Sequence, residues 1–225
     1  WLPDAMEGPT PVSALIHAAT MVTAGVFLLC KMSVFFNNSF FSSNIILLVG
    51  SLTAFFAATV AITQNDIKRI IAYSTCSQLG MMFIAAGLSL YNLAIFHLVT
   101  HAFFKALLFL GAGNIIHALN GEQNIKNMGG LKNQIPLTYI FMIIGSLSLC
   151  GVPFFSGYFS KEIIVNSILN SDLMLAKFAY LLSIIVIVLT SIYSFRLILL
   201  VFHGKNNFIK GNLLNLKEPS LIIIF

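Results

Sequence analysis

Charge is scarce in this 225-residue chain: Asp, Glu, Lys and Arg make up 8% of it, where an ordinary soluble domain carries roughly 25%. So few charges leave too little polar surface for a soluble globule, a nucleic-acid-binding face or a solvated disordered tail. Acids are scarcest, at 7 against 12 Lys and Arg. Cysteine is almost absent. Cys30, Cys76 and Cys150 stand alone inside or beside apolar segments, which excludes a disulfide framework and a metal knuckle and leaves them as small hydrophobes. Nor is there a signal peptide. The chain opens at Trp1 without a methionine and ends in an apolar run just beginning at 219–225, so both ends are expected to be cut from something larger.

What remains is apolar: 58% of the residues are hydrophobic, in runs long enough to cross a bilayer, so the fold class is an all-α polytopic membrane protein. Hydropathy predicts about six crossings in a single membrane domain, at 11–31, 44–64, 67–90, 92–118, 136–171 and 175–202. Thr10 and Pro11 suit the N-cap and first position of the first helix. The fifth crossing is too long for one helix, roughly 36 residues or about 54 Å. Gly151, Pro153 and Gly157 interrupt its middle. Proline removes an amide donor and clashes with the preceding turn, and glycine weakens helix further. Two half-helices joined by an unwound stretch near 151–158 are therefore expected, a device of transporters whose exposed backbone lines protein or water. A basic loop at 203–218 follows the sixth span.

Alternating the spans across a membrane gathers Lys68, Arg69, Lys126, Lys132, Arg196, Lys205, Lys210 and Lys217 on one side, and only Lys31 and Lys177 on the other. That asymmetry assigns Trp1 and the basic loops to the cytoplasmic or matrix side. It also leaves two lysines that no loop claims, Lys105 and Lys161.

Lys105 falls at the midpoint of the 92–118 run, which is about 40 Å long as a helix. His97 and His101 precede it at spacings of four, so the three share one face. An ammonium at that depth costs roughly 3 kcal/mol on insertion scales and more than about 10 kcal/mol in simulations of isolated helices. Snorkelling needs a nearby interface, which a midpoint residue lacks. Desolvation penalises the charged form of a buried lysine, which suits a group that takes and releases a proton each cycle. The histidines, with an ordinary pKa near 6.5, extend that stripe into a relay. Two blander readings stand beside it: hydrogen-bonded core histidines, and haem or metal ligation by the pair on one helix face.

Other polar residues divide similarly. His17, with Thr20 and Thr23 after it, lines either a wet seam or a satisfied core position. Ser74, Ser77 and Gln78 form a stripe better suited to helix packing. Lys68 and Arg69 read as topology anchors and His117 as interfacial. Lys161 and Glu162 follow the unwound stretch. At a half-helix start the dipole favours Glu162 and opposes Lys161, and an unfavourable placement suggests function; the alternative is an interfacial pair at a plain loop.

Four blocks then carry a resemblance: WLPDAMEGPTPVSALIHAATMVTAGVFLL (1–29), NDIKRIIAYSTCSQLGMM (65–82), FHLVTHAFFKALLFLGAGNIIHAL (96–119) and GVPFFSGYFSKE (151–162). In this order they resemble the subunit 5 family of respiratory complex I, the distal antiporter-like pump of NADH:ubiquinone oxidoreductase. Mrp-type cation/proton antiporters share much of the pattern. The resemblance implies an antiporter-like bundle in which Lys105 is the central lysine of a midplane polar axis. His97 and His101 are then its flanking histidines, and His17 the histidine bridging two half-channels. Lys161 is the lysine at the break near the outward exit, and Glu162 stands where an acidic partner is usual.

The resemblance further implies no flavin, iron–sulfur cluster or quinone in this chain; NADH, FMN, the clusters and ubiquinone belong to other subunits of the complex. An intramembrane glutamate and a further lysine of the family lie upstream of the first block. A companion chain carrying that half is therefore expected among the membrane-arm partners, and no nucleic acid. Protons would enter from the basic side, charge Lys105 and leave past Lys161, each moved charge costing about 2.3 kcal/mol per 100 mV. The competing functions are an Mrp-type antiporter without redox coupling and a structural scaffold. Abundant Phe, Ile, Asn and Lys fit an AT-rich genome, hence the mitochondrial inner membrane, with a bacterial plasma membrane as the alternative.

Overall fold

The computed structural model describes residue 6, residues 8–18 and residues 20–205. The terminal apolar run at 219–225, most of the basic loop at 203–218, and Lys210 and Lys217 lie outside the described residues. The fold is all-α, as expected for a polytopic membrane protein, with helices α1 (Thr10–Ala18), α2 (Ala24–Lys31), α3 (Ser33–Asn37), α4 (Phe40–Thr63), α5 (Ile67–Gly87), α6 (Tyr91–Ala118), α7 (Pro136–Cys150), α8 (Ser156–Leu169) and α9 (Ala176–Ile198). A π-helical turn, Leu199–His203, extends α9. Among the described residues, four helices are long and apolar enough to cross a membrane: α4, α5, α6 and α9 with its extension.

The expected break separates α7 from α8. Gly151 closes α7 in the left-handed region at φ 79°, and Phe154 follows at φ 75°, a conformation that costs a residue with a Cβ roughly 1–2 kcal/mol. The first span departs from its expected shape. Read as unbroken over 11–31, it is split into α1 and α2 around Thr20–Thr23. Here the interruption comes from hydroxyls rather than proline. Thr20 Oγ1 donates to the Leu15 carbonyl at 3.0 Å and Thr23 Oγ1 to the Thr20 carbonyl at 3.0 Å, side-chain bonds that compete with the helical ladder.

One end of the bundle is tied by polar contacts. Asp66 caps α5 by accepting from the Lys68 and Arg69 amides at 2.8 and 3.3 Å. A single antiparallel bridge joins Asp66 to Asn124 and pins the 120–134 loop beside the α4–α5 turn. Arg196 reaches from α9 to donate to the carbonyls of Ile62 and Gln64 and to Asn65 Oδ1, at 2.8, 2.6 and 2.9 Å. Lys68, expected as a topology anchor, is buried instead, its Nζ donating to the Met6 and Gly8 carbonyls at 3.4 and 3.2 Å. Both cations are spent on backbone oxygens; the Arg196 guanidinium lies at the C-terminal end of α4, where the carbonyls and the dipole favour it.

Helices α4 and α5 form the closest pair in the bundle. A Cβ built at Gly80 would lie 2.6 Å from the Ala54 nitrogen and 2.6 Å from the Gly50 oxygen, so the two backbones touch with no room for a side chain. Small residues permit that approach where burial from water supplies no driving force. Gly80→Val is expected to prise α5 from α4 and destabilise the protein by about 1–3 kcal/mol or more, read as a lower melting temperature in detergent. An unchanged transition would contradict this packing.

Candidate functional site

Lys105 lies in the middle of α6 with none of its surface exposed. Its Nζ donates to Ser74 Oγ and, at 3.2 Å, to the Ile71 carbonyl, both on α5. Ser74 in turn donates to the same Ile71 carbonyl at 2.7 Å. The Ser74 hydroxyl has therefore already given up its one proton and meets the amine with a lone pair. Ser74, expected mainly to pack helices, is thus the direct partner of the central lysine.

The histidines lie on the same buried face. His17, His97 and His101 are fully buried. His97 Nδ1 bonds Ser160 Oγ on α8 at 2.8 Å, and Thr100 Oγ1 contacts the same oxygen at 3.3 Å. The rings of His97 and His101 are centred 6.4 Å apart, and His17 lies against Phe109 at 5.2 Å. Among the described residues, both nitrogens of His17, both of His101, and Nε2 of His97 have no hydrogen-bond partner; the same holds for Ser77 Oγ and the Gln78 amide on α5. The Ala18 backbone at the end of α1 is near the His101 ring, outside hydrogen-bond geometry. Each buried polar group left unpaired costs about 1–3 kcal/mol, so so many in one stripe make a dry, tightly packed axis untenable and favour water there.

Lys161 ends the line. It sits in the second turn of α8, 4% exposed, and its Nζ donates to the Leu149 carbonyl in the last turn of α7. The unfavourable dipole expected at a half-helix start is thereby avoided. The side chain leaves the positive end of α8 and places its ammonium at the negative end of α7. Glu162 separates from it: one residue on, it turns to the exposed face, beside Tyr158. Both still line a cavity of about 260 Å³ with Cys150, Gly151 and Asn166. His17, His101 and Lys161 each feel the field of Lys105 or impose their own on it. A proton on one of these groups therefore opposes a proton on the next.

The family model described as "NADH:quinone oxidoreductase/Mrp antiporter, TM" matches residues 1–201. The chain belongs to this family. It is 56% identical to NADH-quinone oxidoreductase subunit L of Rhodobacter capsulatus over 91% of its own length and 30% of that protein's. To NADH-ubiquinone oxidoreductase chain 5 of Phytophthora infestans it is 55% identical, over 98% of this chain and 33% of the relative. It thus spans about a third of the curated relatives it matches. Among solved structures, the Mrp complex from Dietzia sp. superposes with a TM-score of 0.82 at 32% identity, covering 93% of this chain and 23% of that one.

Membership in the oxidoreductase/Mrp family leaves the polar partners to be read from the fold. Ser160 escaped the sequence reading although it adjoins Lys161, because nothing in a single sequence pairs α8 with α6.

Proposed function

We propose that this chain is the proton-translocating, antiporter-like part of a respiratory NADH:quinone oxidoreductase. One observation carries the reading: a fully buried lysine whose only side-chain partner among the described residues is a serine hydroxyl, set in a stripe of imidazoles with nitrogens unpaired among those residues. Neutral acceptors leave the amine free to lose its charge, where a carboxylate partner would hold it protonated; Lys68, bonded to carbonyls near a helix start, lacks the neighbouring imidazoles that Lys105 has. Protons enter from the basic end of the bundle, load Lys105 and cross by His101 and His97 to Ser160 and Lys161. They leave through the cavity beside Glu162. His17, next to α1's end, links the axis to the half supplied by a companion chain. Redox groups reside in other subunits; this chain contributes proton-handling side chains to an oxidoreductase complex of the mitochondrial inner membrane or a bacterial plasma membrane.

The second reading is cation/proton exchange without redox coupling, supported by the close superposition on an Mrp complex. Isolation of the native complex separates the two. The expected outcome is co-purification with flavin and iron–sulfur chains, and NADH-driven proton movement in vesicles. Sodium/proton exchange by a preparation free of flavin would overturn the proposal.

A further inference from the structure

Two cavities lie in line along the groove between α8 and α9. The inner one, about 260 Å³, holds Lys161 and Glu162 beside the α7–α8 break and runs along α8 to Val165 and Asn166, with Ile187 as its wall on α9. The outer one, about 470 Å³, begins at Ile168 and Leu169 and opens among Asp172, Lys177 and Tyr180, at the end of the bundle opposite the basic loops. Tyr180 and Ile187 are two turns apart on one face of α9, so the cavities share a wall. On α8 the step from Asn166 to Ile168 is only about 3 Å along the axis. Val165 and Ile168 close the neck between them, both apolar, at 8% and 1% exposed.

The open side of this groove is polar where a lipid-facing helix is not. Glu162 and Asn166, four residues apart, both stand on the exposed face of α8, and Tyr158, one turn earlier, hydrogen-bonds Glu162. An acidic side chain turned to hydrocarbon costs about 2.5–3.5 kcal/mol at the centre of a spanning helix, so this face belongs against water or protein. Each cavity is many times the roughly 10–15 Å³ of space that one water needs. An apolar neck between two such chambers expels water. Asn166 lines the inner rim of that neck, and its amide offers two donors and an acceptor.

We propose that the proton released by Lys161 leaves along this α8–α9 groove, and that Asn166 is the positioning residue that carries its water chain past the apolar neck. The proposal rests on the reading of Lys161 as the exit lysine of a proton pump. From Lys161 to the last residue of α8, Leu169, is about 12 Å along the axis, and the inner cavity stops short of it at Asn166. The transfer balances by protons alone. Lys161 gives one N–H proton to a water of the inner cavity and ends neutral. Glu162 takes that proton up and returns it, ending as the carboxylate it began as. The waters beside Asn166 relay it, and one proton emerges at the outer cavity near Asp172. No bond other than those to hydrogen changes, no electron moves, and the Asn166 amide exchanges no proton.

The test uses the assembled complex in proteoliposomes and has two arms. In the first, Asn166→Cys and Ile163→Cys, each in a Cys150→Ser background, meet a charged methanethiosulfonate that cannot cross the membrane, and labelling is read by mass spectrometry of this chain's peptides. Ile163 is 47% exposed on the same helix but lines neither cavity. Asn166→Cys is expected to label from the outer side alone and Ile163→Cys from neither. In the second, Asn166→Leu is expected to slow pumping roughly threefold to tenfold, the factor one net hydrogen bond is worth, with melting temperature unchanged because the side chain is exposed. Asn166→Ser is expected to restore most of the rate, and Asn170→Leu, exposed but lining neither cavity, to leave it intact. The proposal is overturned if Asn166→Cys is as inert as Ile163→Cys, if it labels from the basic side, or if Asn166→Leu pumps like the parent. A complex with Lys105→Met that still pumps would instead sink the underlying reading, and the labelling pattern would not change with it.

Discussion

Lys105→Met abolishes proton pumping in the assembled complex while leaving the protein as stable as before, or more so. The two halves of that expectation come from the same burial. An ammonium taken out of water loses several kcal/mol of solvation, and here it recovers one serine lone pair and one carbonyl. Methionine has a similar reach, no charge to desolvate and an adaptable thioether, so the fold tolerates it. Assembly is checked by NADH oxidation with an artificial acceptor, and pumping by acidification of vesicles. Lys105→Arg decides what the cation is for. Guanidinium keeps the charge and the donors but does not give up its proton in proteins. If Lys105 exchanges protons, arginine fails as methionine does. If it merely supplies a fixed positive charge, arginine restores pumping and the assignment is wrong.

The second large effect belongs to Gly157. A Cβ there would lie 1.9 Å from the Ser148 oxygen and 2.9 Å from its carbonyl carbon, so Gly157→Ala cannot be accommodated by turning a side chain; α8 must move away from the end of α7. That displacement separates Lys161 from the Leu149 carbonyl and Ser160 from His97 in one step. Overpacking of this severity costs about 3 kcal/mol or more, equivalent to roughly 6–12 °C of melting temperature for a chain of this size. Pumping is expected to fall along with it. Gly151→Ala is the control. Its Cβ meets the Lys161 Cδ, the Gly157 oxygen and the Tyr158 Cα at 3.5, 3.7 and 3.8 Å, all ordinary contacts, and its penalty is the left-handed φ, about 1–2 kcal/mol. Equal effects at the two glycines would show that backbone conformation, and not the α7–α8 contact, governs the break.

Sequence reading went furthest where the signal is local. Gly151 and Pro153 announced the second break because those residues oppose helix locally; the break is shorter than the expected 151–158, since Gly157 and Tyr158 already belong to α8. The first break escaped it: Thr20 and Thr23 are ordinary helix-tolerant residues, and only their bonds to Leu15 and Thr20 carbonyls show that they have taken over the ladder's role. Lys161 was placed beside the break correctly, yet its dipole was misjudged, since the helix that stabilises its ammonium is the preceding one. Glu162 shares its neighbour's sequence position but not its face, because successive residues on a helix point about 100° apart.

By itself, the sequence determined that this chain lives in a membrane, where its long apolar helices run, though not the break between α1 and α2, and that His97, His101 and Lys105 share a stripe; composition and a period of 3.6 residues are properties of a single strand of residues. Tertiary structure alone decided what that stripe faces. Ser74 comes from α5 and Ser160 from α8, and their hydroxyls acquire meaning only through packing. An ammonium in hydrocarbon is stabilised by whichever neighbours the fold brings within hydrogen-bond distance, about 3 Å, and that distance is set between helices, not along them.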